Sequence, residues 1–464
     1  MSVASHARNP SNPHARPPLG WLGIMRLGLV QTALGAIVVL TTSTINRVMV
    51  VELALPAMLP GALVALHYAV QVLRPRWGHG ADVGGRLTPW IIGGMAMLAI
   101  GGLGAALAVA LMAVSTLAGL ALAVLAFLAI GVGVGASGTS LLVLLSRRVA
   151  DARRPAAATI VWVMMIMGFI ITAGTAGHFL DPFSMGRLVL VSAIVSGLAF
   201  VISVLAVWGV EDPAVVSPAK NEAAPEIGFR EALLEVWSEP HSRLFSIFIF
   251  LSMVAYSAQD LILEPFAGAV FGYSPGETTK LAGVQHGGVL AGMILVAVVA
   301  TVFGRSNLGT TRFWTVGGCL ASALALAGLV ASAIMGPPFP FRPNVFLLGL
   351  ANGAFAAAAI GAMMRLVNSG NPERAGVRMG LWGAAQGIAF GAGGFLGTVA
   401  ADLARYLIAS QVAAYATVFA LEGVLFIVSA VLADRVARQA REIAQPAPPK
   451  AEPMPDLAYG RPAE

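Results

Sequence analysis

Val210 to His241 reads VEDPAVVSPAKNEAAPEIGFREALLEVWSEPH and is the only long polar segment between the two ends of the chain. Almost unbroken apolar sequence lies on either side, with six long apolar segments before it and six after. A chain that breaks once, in the middle, into two hydrophobic halves reads first as a membrane protein and second as a duplicated one.

The composition agrees. Of 464 residues, 58% are hydrophobic and 11% charged, and the mean hydropathy is +0.82. A soluble domain carries roughly 25% charged residues on its surface, so most of this surface must face lipid. The net charge of +6 does not mark a nucleic-acid binder. Its basic residues sit in short loops between apolar runs, where orientation signals lie. The single cysteine, Cys319, excludes a disulfide framework and a Cys-based metal site. Gly is abundant, at 53 residues, as close-packed membrane helices require.

A span needs about 20 apolar residues. Candidate spans are 22–44, 55–73, 89–112, 117–145, 157–177 and 186–209, then 243–265, 281–303, 313–335, 344–367, 377–400 and 411–433. Lipid offers no partner to an unpaired backbone group, and the period-two alternation of a membrane barrel is absent, so the spans are helices. Arg74, Arg76 and Arg86 follow span two, and Arg147, Arg148, Arg153 and Arg154 follow span four. Arg305 and Arg312 follow span eight, Arg374 and Arg378 span ten, and Arg435, Arg438 and Arg441 span twelve. The alternate loops hold few, so both termini and the central loop are expected on the cytoplasmic side. The organisation expected is a polar N-terminal tail without a cleavable leader (1–20) and a six-helix bundle (21–209). A cytoplasmic linker (210–242), a second bundle (243–436) and a cytoplasmic tail (437–464) follow.

The halves resemble each other. Gly131, Gly135 and Arg147 recur as Gly349, Gly353 and Arg365 at identical spacing. Trp90-Ile-Ile-Gly93-Gly94 recurs as Trp314-Thr-Val-Gly317-Gly318, and Trp162 and Trp382 open spans five and eleven. Two six-helix parallel repeats make the major facilitator fold, an all-α membrane architecture of twelve transmembrane helices. In the central loop, Phe229, Leu233 and Trp237 fall at helical spacing opposite Glu231 and Glu235. That pattern fits a short amphipathic helix, lying on the membrane surface or packed under the bundle as a strut.

Several signals bear on function. Gly78-His-Gly-Ala-Asp82-Val-Gly-Gly85-Arg86 fits the loop signature of major facilitators. There Asp82 and Arg86 are read as a cytoplasmic latch rather than as substrate ligands. Gly133-Val-Gly135-Ala-Ser-Gly138 matches the dinucleotide fingerprint by letter, but it lies inside a membrane helix where glycines let backbones approach. Charged residues within spans are costly and mark pathways. Arg47 and Glu52 end span one, while Asp260 and Glu264 lie a turn apart on span seven, its equivalent under the repeat. The expectation is that Arg47 pairs with Asp260 or Glu264 and closes the outer side, with a salt bridge inside one half as the rival. Among His67, His178 and His286, the last is favoured as a ligand because Gly287 and Gly288 leave room beside it. No Ser-His-Asp set, phosphate loop or paired catalytic carboxylate occurs, so no enzyme is expected.

Ile45-Asn46-Arg47-Val48-Met49-Val50-Val51-Glu52-Leu53 is similar to the block after the first span of the PucC/LhaA family. So are Tyr256-Ser-Ala-Gln259-Asp260-Leu-Ile-Leu-Glu264-Pro265-Phe266-Ala-Gly268 and Thr279-Lys280-Leu-Ala-Gly-Val-Gln285-His286-Gly287-Gly288. Gly380-Leu-Trp382-Gly383-Ala-Ala-Gln386-Gly-Ile-Ala-Phe390-Gly391 completes the set, and the resemblance runs from about Gly20 to Arg441. The resemblance implies a member of the bacteriochlorophyll-delivery branch of the major facilitators. It would assist assembly of light-harvesting antennae in the photosynthetic intracytoplasmic membrane. Bacteriochlorophyll is then the expected bound cargo, and no classical cofactor or metal is expected beyond the pigment magnesium. The expected partners are the antenna polypeptides, the enzymes of bacteriochlorophyll synthesis and membrane lipid. On this reading His286 offers an axial ligand to the pigment magnesium, beside Gln285, with Trp382 and Phe390 packing against the ring. A proton-coupled transporter of a small solute and a ligand-free assembly scaffold stay open as alternatives.

Overall fold

The computed structural model describes residues 18–70, 86–150, 153–211, 229–303, 311–366 and 375–444. Every element in them is helical. The first half holds α1 (Trp21–Val39), prolonged by π-helical stretches at Leu40–Ile45 and Val48–Glu52, then α2 (Met58–Val70) and α3 (Thr88–Met112). It ends with α4 (Thr116–Arg148), α5 (Arg154–Phe179) and α6 (Met185–Val207). A short helix, α7 (Phe229–Ser238), leads into the second half. There α8 (Pro240–Ala258), a 3-10 turn at Gln259–Leu261 and α9 (Leu263–Phe271) together form one broken span. Then come α10 (Pro275–Val302), α11 (Thr311–Met335), α12 (Phe341–Leu366), α13 (Ala375–Leu407) and α14 (Gln411–Ala444).

Eleven of these segments are long and apolar enough to cross a bilayer, and α2 is a shorter apolar helix, so the chain is a multi-pass membrane protein. Their outward faces carry large exposed apolar side chains such as Ile100, Leu125, Leu198 and Leu324. In water such a surface would aggregate, whereas in lipid it is the ordinary solvent-facing side. Inside, two large apolar cores form, with a small third cluster of Val39, Ala173 and Ala282 between the halves. One is built around Ile24, Leu98, Phe127 and Leu141 of the first half. The other is built around Phe248, Phe266, Phe355 and Phe426 of the second.

Glycine packing makes the internal repeat physical. A Cβ on Gly131 of α4 would lie 2.7 Å from the His67 carbonyl of α2, and one on Gly349 of α12 would collide with the Gln285 carbonyl of α10. The two glycines and the two carbonyl residues are each 218 positions apart. A Cβ on Gly94 of α3 would meet the Ser137 nitrogen at 2.6 Å, and one on Gly318 of α11 would meet the Phe355 Cβ at 2.8 Å. Ser137 and Phe355 are again 218 apart, and Gly94 and Gly318 are 224 apart. Equivalent helices in the two halves therefore touch through equivalent residues, because only glycine allows backbones this close. The halves meet along two seams, α2 with α13 and α5 with α10.

The linker helix forms where the spacing of apolar residues placed it. Val236 is its fully buried residue, while Leu234 and Trp237 are exposed. It packs against α8 and α13. The expected apolar face is corrected at Trp237, since burial against the bundle selects Val236 instead. The side chains of Phe229 and Leu233 are outside those described.

Candidate functional site

The site is organised by two distortions in equivalent spans. The π-helical stretch Leu40–Ile45 prolongs α1, and 218 positions later the seventh span breaks at Gln259–Leu261. Each distortion frees backbone groups and turns polar side chains toward the other half, which is why such irregularities gather at functional sites. Ser43 donates to Glu264 Oε1. Asn46 Nδ2 donates to the Leu261 carbonyl at 2.7 Å. Ser43 and Leu261 are 218 apart, as are Asn46 and Glu264. The contact is thus reciprocal, residue i meeting the equivalent of j while j meets the equivalent of i, as at a two-fold interface. Thr44 and Thr279 hydroxyls add a 2.8 Å bond beside it.

A second reciprocal pair brackets this centre. Asp402 at the end of α13 accepts from the Ala57 nitrogen at 3.0 Å and the Met58 nitrogen at 2.7 Å, capping α2. Asp181, just past α5, accepts from Ser274 Oγ at 2.7 Å, and Ser274 is the N-cap of α10. In each half the acid that ends the fifth span reaches the start of the other half's second span. A carboxylate there complements the positive end of the helix dipole. Lys280 also reaches Asp181, at 3.3 Å. Sequence reasoning passed over both acids because they lie at the margins of spans, Asp181 just past α5 and Asp402 in the last two turns of α13. The signal that would have found them is an Asp at the end of the fifth apolar span of each half, the two being 221 positions apart.

Arg47 is where the pseudo-symmetry fails. Its guanidinium is buried and pairs with Glu52 of the same half. Nη2 donates to the Tyr273 carbonyl of the other half at 2.7 Å. Gly268 leaves the space, since a Cβ there would lie 2.9 Å from Nη2. The expected pairing of Arg47 with Asp260 or Glu264 is therefore corrected. Glu264 is engaged by Ser43, and Asp260 accepts from Gln285 Nε2 at 3.2 Å. The two acids part company because the 3-10 turn ends at Leu261, between them, so they do not share one helix face. The group still joins the halves at the end of the bundle bearing Arg47.

The pigment-ligand candidates do not converge on one pocket. Trp382 is fully buried inside the second half, edge-on to Phe245 at 4.7 Å, so it faces core rather than cargo. Phe390 lies on the α2–α13 seam, stacked on Tyr68 at 5.9 Å and edge-on to Tyr256 at 5.7 Å. His286 lies on the other seam, edge-on to Phe169 of α5 at 4.7 Å. Its Nδ1 is 2.8 Å from the Ala282 carbonyl. A carbonyl only accepts, so in the neutral ring Nδ1 holds the proton and the Nε2 lone pair is left for another partner. Of the two neighbouring glycines, Gly287 faces open space, while Gly288 is pressed on the Phe346 carbonyl. Gln285 turns away to Asp260. Among the described residues no three His, Cys, Asp or Glu side chains gather to hold a metal ion. Arg86 is exposed, and Asp82 lies outside the described residues.

A family model described as PUCC protein matches residues 44–441. The chain belongs to the PucC family. It is 53% identical over 418 residues to the "Bacteriochlorophyll synthase 44.5 kDa chain" of Rhodobacter capsulatus, covering 90% of this chain and 96% of that one. It is 31% identical over 449 residues to Protein PucC of Cereibacter sphaeroides, covering 88% and 91% respectively. Among solved structures, the nucleoside transporter NupG matches with a TM-score of 0.64 at 14% identity, over 90% of this chain and 99% of that one. That likeness bears out the major facilitator fold for this PucC-family chain.

Proposed function

We propose that this PucC-family protein binds bacteriochlorophyll and delivers it to light-harvesting antenna polypeptides in the photosynthetic inner membrane, without itself making or breaking bonds. The carrying observation is His286. A histidine that serves as an axial ligand donates its other nitrogen to a carbonyl or carboxylate, which fixes tautomer and ring orientation. His286 has that arrangement toward Ala282, beside open space at Gly287. Its seam runs between the halves, and a flat macrocycle with an apolar tail is matched to such a slot, with the tail in lipid. The name of the Rhodobacter capsulatus relative, a bacteriochlorophyll synthase chain, supports a link to that pigment.

The repeat supplies the decisive variant. Tyr68 and His286 are 218 positions apart. Each packs against a phenylalanine of the facing half, Tyr68 stacked on Phe390 and His286 edge-on to Phe169. His286→Tyr therefore copies the ring that the fold already accepts at the equivalent place, while removing the nitrogen donor. The full-length chain is purified in mild detergent from pigment-making cells, and pigment per chain is read from its absorbance. Stoichiometric pigment in the parent and its loss in His286→Tyr is the expected result. Equal pigment in both, or none in the parent, overturns the proposal.

A further inference from the structure

Glu264 joins the two halves through only one of its oxygens. Ser43 donates to Oε1, while Oε2 is buried and has no hydrogen-bond partner. The residue is 3% exposed, and Ser43 is buried with it. The hydroxyls and amides of this crossing are committed elsewhere. Thr278 and Thr279, at the start of α10, both donate to the Pro275 carbonyl, at 3.1 and 2.7 Å. The Thr44 hydroxyl therefore gives its proton to Thr279, at 2.8 Å. Asn46 donates to the Leu261 carbonyl at 2.7 Å, and its Oδ1 is a further buried acceptor that no donor meets. Gln259, on the break, is fully buried with neither polar atom bonded, so it does not serve Glu264 either.

A carboxylate anion held by a single hydroxyl inside a lipid-embedded bundle is costly unless a positive charge stands against it. α9 packs on the π-helical stretch Val48–Glu52, the turn at Gln259–Leu261, α10 and α14. Among their described residues each basic group already has a partner. Arg47 pairs with Glu52 and donates to the Tyr273 carbonyl. Lys280 reaches Asp181, and Arg342, over the Tyr273 ring, reaches Glu277. His286 bonds to the Ala282 carbonyl, and Asp260 accepts from Gln285. Tyr415 and Glu422 of α14 bring no positive charge, and Asp434, Arg435 and Arg438 lie about three turns or more beyond Glu422. Since Glu52 already balances Arg47, a second anion at this crossing would leave it with net negative charge. The neutral acid closes the balance, and it keeps Oε1 as the acceptor for Ser43.

We infer that Glu264 binds a proton while the halves are joined at this end and releases it to water when they part, so that the joint is a proton-controlled gate. The inference stands or falls without pigment. The sign follows from linkage. The joined state holds a proton that the parted state gives up at neutral pH, so the parted population grows as pH rises, by up to about tenfold per pH unit. The full-length chain in detergent carries Cys319→Ala and Thr41→Cys, a buried reporter two residues from Ser43. Its rate of reaction with a water-soluble maleimide is followed from pH 6 to 9, with and without Glu264→Gln. Glutamine keeps the oxygen that accepts from Ser43 and cannot ionise, so its rate carries the pH dependence of the thiol itself. The two rates are expected to agree at the acid end, with the parent rising severalfold or more above Glu264→Gln at the alkaline end. A ratio that stays flat overturns the inference. An infrared difference spectrum, parent minus Glu264→Gln, is expected to hold the C=O band of a protonated carboxyl at the acid end, and its absence at every pH overturns the inference equally. If Glu264→Gln does not accumulate, the parent chain decides through a hydrophobic carbodiimide, which modifies protonated carboxyls in apolar surroundings. An adduct on the Glu264 peptide that declines from pH 6 to 9 supports the gate, and an adduct that is unchanging or absent refutes it.

Discussion

Replacing Asp402 by alanine removes the acceptor of two backbone N–H groups, Ala57 at 3.0 Å and Met58 at 2.7 Å, both belonging to the opposite half. The perturbation acts on the joint between halves rather than on either core. A helix cap is worth about 0.5–2 kcal/mol, and hydrogen bonds to a charged group lie at the upper end or beyond. The Asp402 side chain is 18% exposed, which discounts the charge only modestly. A shift of about 2 kcal/mol toward separation at this end follows, or roughly 30-fold in the open population. Asp181 is its pseudo-symmetric counterpart but is more exposed, at 32%, and its lysine partner is at 40%. An exposed pair contributes about 1 kcal/mol at most, so Asp181→Ala is expected to shift the population about fivefold.

The single native cysteine makes the assay simple. With Cys319→Ala, a reporter is placed by Thr41→Cys, since Thr41 is 2% exposed and its hydroxyl bonds only to carbonyls of its own helix. The rate of reaction with a water-soluble maleimide in detergent then measures how often this end opens. Reaction about 30-fold faster in Asp402→Ala and about fivefold faster in Asp181→Ala is expected, at the free-energy scale just given. Unchanged rates in Asp402→Ala would refute the reasoning even if the variant melted earlier, because the claim concerns a joint and not bulk stability.

Two further outcomes follow from the packing. Gly353→Ala places a Cβ against the Val289 carbonyl, so α10 and α12 must separate at a cost of about 1–3 kcal/mol or more, whereas Gly361→Ala meets nothing within 4 Å and should be neutral or slightly stabilising. Thermal midpoints of the two variants, measured side by side, check the contrast. Gly268→Ala intrudes on the Arg47 guanidinium and should cost about 1–2 kcal/mol. In an Arg47→Ala background that cost should shrink, and a double-mutant cycle on the same midpoints detects the coupling.

The spans, their count and the duplication were legible because lipid forces a simple code: long apolar runs, helical backbone, glycines where helices touch. The break in the seventh span was not. Tyr256 to Gly268 holds one proline, Pro265, and the 3-10 turn precedes it, so no local punctuation mark announced the break at Gln259–Leu261. That one omission misplaced Asp260 and Glu264 on a common face and gave Arg47 the wrong partner. Trp382 was misread for a different reason. A large aromatic in a family block serves core or cargo equally well on sequence grounds, and its contact with Phe245 decides for the core. Glu422 was visible as a lone acid within an apolar run. It went unused because it has no sequence neighbour to pair with, and its burial inside the second bundle shows only once α14 is packed.

The symmetry also says where specificity is expected, and it yields a test of whether imidazole chemistry or position matters. Tyr68→His would place an imidazole at the equivalent position on the other seam. The surroundings differ. Phe390 there is already covered by Tyr256 as well as Tyr68, and a Cβ on Gly391 would lie 3.0 Å from the Tyr68 Cβ. Beside His286, Gly287 faces open space. A ligand nitrogen on the α2–α13 seam therefore has no room in front of it for a macrocycle. The double variant Tyr68→His with His286→Tyr should fold, because each ring keeps a phenylalanine partner, and should still lack pigment. Recovery of stoichiometric pigment in that double variant would show that the open space beside Gly287 is not what selects the seam, and the assignment of the slot to the α5–α10 side would fall with it.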